Sequence, residues 1–463
     1  MPETLQARAR ASLTLIFALF AAGYFLSFCF RSVGPLIAPD LMRELDLDAG
    51  QLGLLASVYF LTFTLAQPVI GIAMDRHGPA RINAALFVIA AAGAIVFAAA
   101  QSAAMLAFGR ALIGLGVSGA LMTPMKALVL WYPPQQRDAW SSTMMAVGGV
   151  AAMVASVPAE LAMRSIGWRG LFWVLAAASA LVAAALWWRL AGRHASESRS
   201  QSHYPEIDAA DAVPPASSGD SGHSDLTGTS STSSATHNTS ATHNTSTTQT
   251  GSTTIPSSAP AGGYRTIFTS RIFIAYAPLA MFSSGGASAV QSLWAGPWLM
   301  QAAGHSRASA AQVLFLYGLA LFTGYVITAL VSTRLNAIPG APRRLYIGTL
   351  ALAYSALAVI ISNAWPASAW PWFAYGLTVG TGMLAYPALT RAFPAAIAGR
   401  VVTAYNMVMF ASAFVLQWAM GALIQVQING GAATLMAYQA SFGALLALQV
   451  LALLWFGVMS RRT

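Results

Sequence analysis

Residues 71–81 read Gly-Ile-Ala-Met-Asp-Arg-His-Gly-Pro-Ala-Arg. This short run of charge with a Gly-Pro turn signal separates two stretches, Gln51–Met74 and Ile82–Gly109, that contain no Asp, Glu, Lys or Arg. Each flank exceeds the ~20 apolar residues a helix needs to cross the hydrocarbon core of a bilayer. The segment therefore reads as a tight connection between two membrane-spanning helices.

The same alternation extends outward in both directions. Further charge-free stretches run Ala11–Phe30, Ala139–Ala159, Gly170–Trp188, Ile272–Ser306, Ala308–Thr333, Leu345–Thr390 and Val401–Ser460. The last two are too long for one crossing, and the turn signals Asn363–Pro366 and Asn429–Gly431 divide each into a helical hairpin. A further span from Leu106 to Trp131 is interrupted by Arg110 and Lys126. The expected architecture is an all-α membrane protein of twelve transmembrane helices, six on each side of a polar segment. Composition agrees: of 463 residues 57% are hydrophobic and 8% charged, against about 25% charged in a soluble domain. A soluble fold could not cover its exterior with so few charges.

Arginine placement sets the expected orientation. With both termini in the cytoplasm, sixteen arginines lie at cytoplasmic ends and short loops, and only Arg43, Arg164, Arg169 and Arg307 lie opposite. The cell inner (cytoplasmic) membrane is the expected location. The apolar stretch at the N-terminus runs on to Arg31 with no small-residue cleavage site after a short core, so it reads as a retained span. Residues 191–265 form a linker between an N-terminal bundle, 1–190, and a C-terminal bundle, 266–463. The linker carries five of the seven histidines and a tandem Ala-Thr-His-Asn-Thr-Ser repeat at Ala235–Ser240 and Ala241–Ser246. It is too polar to bury a core and reads as a disordered cytoplasmic tether. The single cysteine, Cys29, excludes a disulfide framework and a cysteine-based metal site. No phosphate loop, nucleophile constellation or metal-ligand spacing is present, so neither an enzyme nor a cofactor is expected. The basic residues follow the membrane rather than a nucleic-acid stripe, and the chain is read as a monomer whose partners are a small molecule and the bilayer.

The loop quoted at the outset resembles the signature of the major facilitator superfamily, Gly-x-x-x-Asp-Arg-x-Gly followed by a base, here Gly71, Asp75, Arg76, Gly78 and Arg81. Arg110-Ala111-Leu112-Ile113-Gly114-Leu115-Gly116 resembles a second pattern of that superfamily, in span 4, and Gly167-Trp168-Arg169 a third feature at span 6. The segments Phe30–Pro35, Leu293–Trp298 and Ala398–Val401 are similar to its nitrate/nitrite-type and metabolite permease branch. The resemblance implies two pseudo-symmetric six-helix bundles that rock about a central cavity lined by spans 1, 4, 7 and 10. Two departures matter for function. Spans 2 and 8 lack the arginines that nitrate carriers use, and span 5 lacks the Gly-Pro pair of proton-driven drug exporters.

Charges at membrane depth cost at least about 2.5–3.5 kcal/mol, which makes them functional candidates. Tyr24, Ser27 and Arg31 share one helical face, where a guanidinium can anchor a carboxylate; the alternative is that Arg31 snorkels to the interface. Lys126 is a further cavity candidate, although a continuous helix sets it about 160° from Arg110 unless Pro124 bends the span. Arg110 is read as coupling protons or holding the first half together. Glu160 is read as a protonatable coupling group, or as the partner of Arg164. Along span 7, Ser284, Ser288, Gln291, Trp294 and Trp298 form a stripe at helical spacing, from which Gln291 and Trp294 are expected to touch substrate. Tyr386 is a polar candidate in span 10. Asp75, with Arg76, Arg81 and Arg400, is expected to gate the cytoplasmic side by setting a carboxylate against the N-terminus of span 11.

The expected function is secondary active transport of a small anionic or zwitterionic metabolite coupled to protons. Drug efflux and a non-transporting sensor or scaffold are the alternatives. Asp75→Asn should impair uptake by reconstituted protein while leaving its thermal unfolding unchanged; normal uptake by that variant removes the gate.

Overall fold

The computed structural model describes residues 3–131, 134–201, 264–335, 340–394 and 397–460. The tandem repeat lies outside the described residues. Residues 1–194 and 262–463 form one compact unit that contains all the spans.

Every regular element among the described residues is helical. Span 1 is α1 (Glu3–Ser32), followed by a short helix, α2 (Gly34–Leu45); spans 2 and 3 are α3 (Ala49–His77) and α4 (Pro79–Ala98). Span 4 comprises α5 (Ala103–Val117) and α6 (Met122–Trp131). Span 5 begins in α7 (Pro134–Val154) and continues, past a break ahead of Pro158, into the first leg of α8 (Val157–Gln201). At Gly167 a φ of 67° turns the chain into span 6, a left-handed conformation that a residue with a Cβ adopts only at a cost.

After α9 (Tyr264–Phe268), span 7 alternates α-helical and wider π-helical turns. It runs α10 (Arg271–Pro278), Leu279–Gly285, α11 (Gly286–Ala289), Val290–Trp294, α12 (Ala295–Pro297) and Trp298–Ala302, the unlabelled stretches being π-helical. Spans 8 and 9 are α13 (Arg307–Leu335) and α14 (Ala341–Ser362). Span 10 is α15 (Trp370–Val379), a 3₁₀ turn at Gly380–Leu384 and α16 (Ala385–Thr390). Spans 11 and 12 are α17 (Ala398–Asn429) and α18 (Thr434–Met459). Among the described residues ten segments are long and apolar enough to cross a bilayer, and spans 5 and 10 are the crossings not among them. The fold is thus a twelve-span α-helical membrane architecture in two pseudo-symmetric sets of six.

The two halves meet along two helix pairs, α3 with α17 and α7 with α13. The first pair is antiparallel. The Ala49 amide donates to Gln425 Oε1 (3.1 Å) near one end, and Phe63 packs on Phe410 at 4.5 Å between ring centroids near the middle. Leu65, Val69 and Ile72 on α3, and Leu451 and Leu454 on α18, remain exposed and form part of the lipid-facing surface.

Within the first half, small residues let helices approach closely, as they do where lipid supplies no hydrophobic drive between helices. A Cβ at Gly114 would lie 2.3 Å from the Tyr59 carbonyl oxygen, and one at Gly116 would lie 2.3 Å from the Ala90 amide nitrogen. The glycines of the span 4 pattern therefore hold α5 against α3 and α4. Gly114→Val should lower stability by about 1–3 kcal/mol through overpacking, read as a fall in thermal unfolding temperature in detergent. An unchanged transition would mean that α3 and α5 separate at no cost.

Candidate functional site

A cavity of about 140 Å³ lies between the halves, room for on the order of ten waters. Span 1 contributes Tyr24, Ser27, Phe28 and Arg31; span 2 contributes Tyr59, Phe63 and Gln67. From the second half, Ser284, Ser288 and Gln291 of span 7, Tyr325 of span 8, Tyr386 of span 10, and Asn406 and Phe410 of span 11 face it. Arg31 is the one charged residue in the described lining.

Its guanidinium carbon sits 4.0 Å from the centroid of the Phe28 ring, where the negative face of the π-system favours a cation. Among the described residues it has no acidic partner, and its Nε is buried with no hydrogen-bond acceptor. Gln291 Nε2 is in the same condition. Two donors without acceptors, on residues that line one cavity, suit it to a group that accepts hydrogen bonds. Across the cavity the Tyr386 hydroxyl donates to Asn406 Oδ1 at 2.6 Å, which fixes both side chains.

Five of the sequence candidates, Tyr24, Ser27, Arg31, Gln291 and Tyr386, thus lie around one void. The other depth charges lie elsewhere. Arg110 is buried and donates to the Phe30 carbonyl (3.0 Å), with Tyr59 and Phe97 at 5.7 and 5.6 Å, so it ties the end of α1 to α5. Glu160 is buried and accepts from Arg164 Nε at 2.8 Å one turn away. Lys126 is half-buried on α6 outside the lining. The bend in span 4 falls at Ser118–Leu121, between α5 and α6, rather than at Pro124.

Trp294 is also turned from the cavity. Its indole N–H donates to the Gln417 carbonyl (3.0 Å), while Ser292 donates to Gln417 Oε1 (2.8 Å). The cause is the π-helical register. Each wide turn takes up extra residues, so a stripe laid out at 3.6 residues per turn leaves the cavity wall after Gln291. Trp298 packs instead on Phe442, 4.7 Å between centroids.

Sequence reasoning did not select Tyr59, Phe63 and Gln67 or Tyr325. The first three share one face of span 2 at a spacing of four, but in a helix apolar all round that face is not marked as a cavity wall. Of the gating residues, Gly71 and Arg76 lie near the end of α3, Gly78 and Arg81 at the junction with α4, and Arg400 in the first turn of α17. The Asp75 side chain lies outside the described residues.

At the opposite end a clasp of charge closes over the cavity. Asp40 on α2 pairs with Arg43 at 3.0 Å and with Arg307 at the start of α13, and Arg307 also donates to the Leu36 carbonyl at 3.2 Å. Glu44 accepts from Trp168 Nε1 (2.9 Å) and from Arg169, whose other amino group reaches the Ala100 carbonyl at 2.8 Å. Backbones touch here: a Cβ at Gly296 would lie 2.0 Å from the Pro35 carbonyl oxygen. Partial burial works to raise the Glu44 pKa, but the hydrogen bonds from Arg169 and Trp168 outweigh it and hold the carboxyl below its ordinary value.

Residues 19–417 match the Major Facilitator Superfamily, and the chain belongs to that superfamily. It is a multi-pass integral membrane protein of that superfamily. It is 30% identical over 112 residues to the nitrate/nitrite transporter NrtP of Picosynechococcus, covering 24% of this chain and 21% of NrtP. It is 25% identical over 165 residues to the probable sulfoacetate transporter SauU of Cupriavidus necator, covering 36% of this chain and 38% of SauU. The chain thus spans well under half the length of these curated relatives. In fold it is similar to a bacterial homologue of the human lysosomal transporter Spinster, with a TM-score of 0.68, 18% identity and 97% of each chain covered.

Because the folded Glu44 pKa is depressed, its contribution to stability is complete above the unfolded value of about 4.3 and fades as pH falls through the lower folded value. Wild-type protein should therefore unfold at higher temperature than Glu44→Gln at pH 7, with the gap closing on acidification. A gap that persists at the acid end would place the effect outside the carboxylate.

Proposed function

We propose that this transporter moves a small anionic or zwitterionic metabolite, held in the central cavity by Arg31 and Gln291. The observation that carries the reading is the pair of donors without acceptors on residues that line the cavity. A carboxylate or comparable oxyanion supplies two or more lone pairs to a guanidinium and offsets its charge in a low-dielectric setting. NrtP and SauU, whose names designate anions, fit the same reading. Tyr24, Ser27 and Tyr386 line the site as further hydroxyl partners.

The gate belongs to the same proposal. The antiparallel register of α3 and α17, which pairs Ala49 with Gln425 and Phe63 with Phe410, brings the Asp75 backbone toward the first turn of α17 when continued. A carboxylate there meets the positive end of a helix dipole. Opening and closing would then alternate between this contact and the Asp40–Arg307 clasp. Proton coupling is assigned to Glu160, whose protonation would release Arg164. Both termini are placed in the cytoplasm and the protein in the inner membrane, on the arginine asymmetry.

Arg31→Gln keeps a polar side chain but removes the charge. In proteoliposomes with an imposed pH gradient, it should lower uptake of a labelled carboxylate by at least tenfold, equivalent to about 1.4 kcal/mol of lost binding. Neutral solutes should be unaffected. Uptake of anions indifferent to Arg31→Gln overturns the proposal.

A further inference from the structure

Behind the cavity, inside the second half, lies a smaller void of about 30 Å³, room for one or two waters. Its walls carry hydroxyls and an amide: Ser283, Tyr346, Tyr354, Tyr375, Thr378 and Gln449. Ser283 and Tyr354 bond each other, and Gln449 Nε2 donates to the Phe282 carbonyl at 3.1 Å. Three polar atoms are left over. The Tyr346 and Tyr375 hydroxyls and Gln449 Oε1 are buried without a well-formed hydrogen bond, Tyr375 lying beside Gln449 and Tyr346 beside Tyr405, and the three residues are 2%, 1% and 0% exposed. Leaving a buried hydroxyl unpaired costs free energy, so three around one void call for an occupant with both donors and acceptors.

The void adjoins the central cavity: Ser284, Ala287, Val379 and Gly382 line both. These residues lie where span 7 changes helical type and span 10 adopts its 3₁₀ turn. The partition is thinnest at Gly382, which adds no side chain to it and where a Cβ would meet only Ser284 Oγ, at 4.0 Å. The unpaired donors at Arg31 and Gln291 belong to the main chamber, and the unpaired hydroxyls to the side chamber beyond this partition.

We propose that the transported solute is a hydroxylated carboxylate. Its anion rests on Arg31, and its hydroxyl-bearing end passes Gly382 to bond Tyr346, Tyr375 and Gln449. This deepens the anion reading and rests on it for the position of the charged end. A hydroxyl both donates and accepts, so it satisfies tyrosine hydroxyls and an amide oxygen alike, whereas an alkyl chain of equal length leaves all three unpaired. Substrates would thereby be selected by their hydroxyls at one end and their charge at the other.

The test compares acids of equal carbon count by ligand-induced thermal shift and calorimetry on the full-length protein. The probes are glycerate against propionate, and threonate against butyrate, with the neutral polyol threitol as a third arm. Threonate should bind at least tenfold more tightly than butyrate. Gly382→Val, which thickens the partition, should reduce that ratio toward one. Tyr375→Phe should cut threonate affinity by about tenfold while leaving the ligand-free protein as stable as before or more so, since the deleted hydroxyl has no well-formed hydrogen bond to lose. A hydroxyl that merely braced the helices would lower stability instead.

Equal binding of threonate and butyrate, both abolished by Arg31→Gln, overturns the side-chamber inference and leaves the anion reading standing. Threitol binding as tightly as threonate, indifferent to Arg31→Gln but lost in Tyr375→Phe, overturns the charge assignment and keeps the hydroxyl chamber. Binding of none of the probes overturns the hydroxylated carboxylate.

Discussion

A guanidinium inside a bilayer must find its hydrogen-bond acceptors in protein, because the hydrocarbon offers none. Two arginines of the first half meet this constraint in opposite ways. Arg110 spends its charge on the molecule, between two aromatic rings and the Phe30 carbonyl. Arg31, one turn beyond Ser27 and two beyond Tyr24 on α1, rests on Phe28 and keeps a buried Nε unsatisfied beside the void. The pair resembles a tool and its bracket. Arg110 holds the end of α1, and the fixed end of α1 presents Arg31. Removing the bracket would disturb function through position, which is why a transport defect in an Arg110 variant would not by itself make Arg110 a coupling residue.

Much of this was legible in the chain. Twelve crossings follow from the distances between charges, and those distances survive in the helices because a charge in lipid is expensive wherever it falls. The face carrying Tyr24, Ser27 and Arg31 was legible because α1 is regular across it. Span 7 was not, since three π-helical stretches change how many residues make a turn, and no count at 3.6 residues recovers which side Trp294 faces. Span 4 misled for the related reason that its bend falls at Ser118–Leu121, a place with no proline. Tyr59, Phe63 and Gln67 were obscured differently. They lie in a helix apolar on every side, so nothing in the pattern separates the wall of a cavity from a helix–helix seam.

The breaks that defeated the periodicity are also where the second half becomes useful. A regular helix satisfies its own backbone and offers only side chains; a wide or tight turn moves a side chain out of register and thins the wall it belongs to. Ser284 lies in one such turn and Gly382 in another, and both border the two chambers at once. Such departures are tolerated at membrane depth only where protein or a water-filled cavity covers them. The irregularity and the cavity therefore explain each other.

In the proposed cycle, the clasp at the α2 end is what must change for a solute to pass. Asp40 bridges Arg43 of its own helix and Arg307 of the other half, while Glu44 binds Trp168 and Arg169 of span 6. Glu44 thus anchors α2 to the first half, and among the described residues Asp40 alone carries the ionic contact across. Separating the halves here breaks one cross-pair, after which Asp40 still keeps Arg43. Exposed or half-exposed ion pairs contribute little each, about 0–1 kcal/mol. The closed clasp is accordingly a shallow minimum on the charge side, and the tight backbone contact at Gly296 and Pro35 carries more of its specificity than its strength. On the proposed reading, a solute that satisfies Arg31 and Gln291 from within would tip the balance between two nearly matched states, because differential binding of a few kcal/mol is enough to move such an equilibrium.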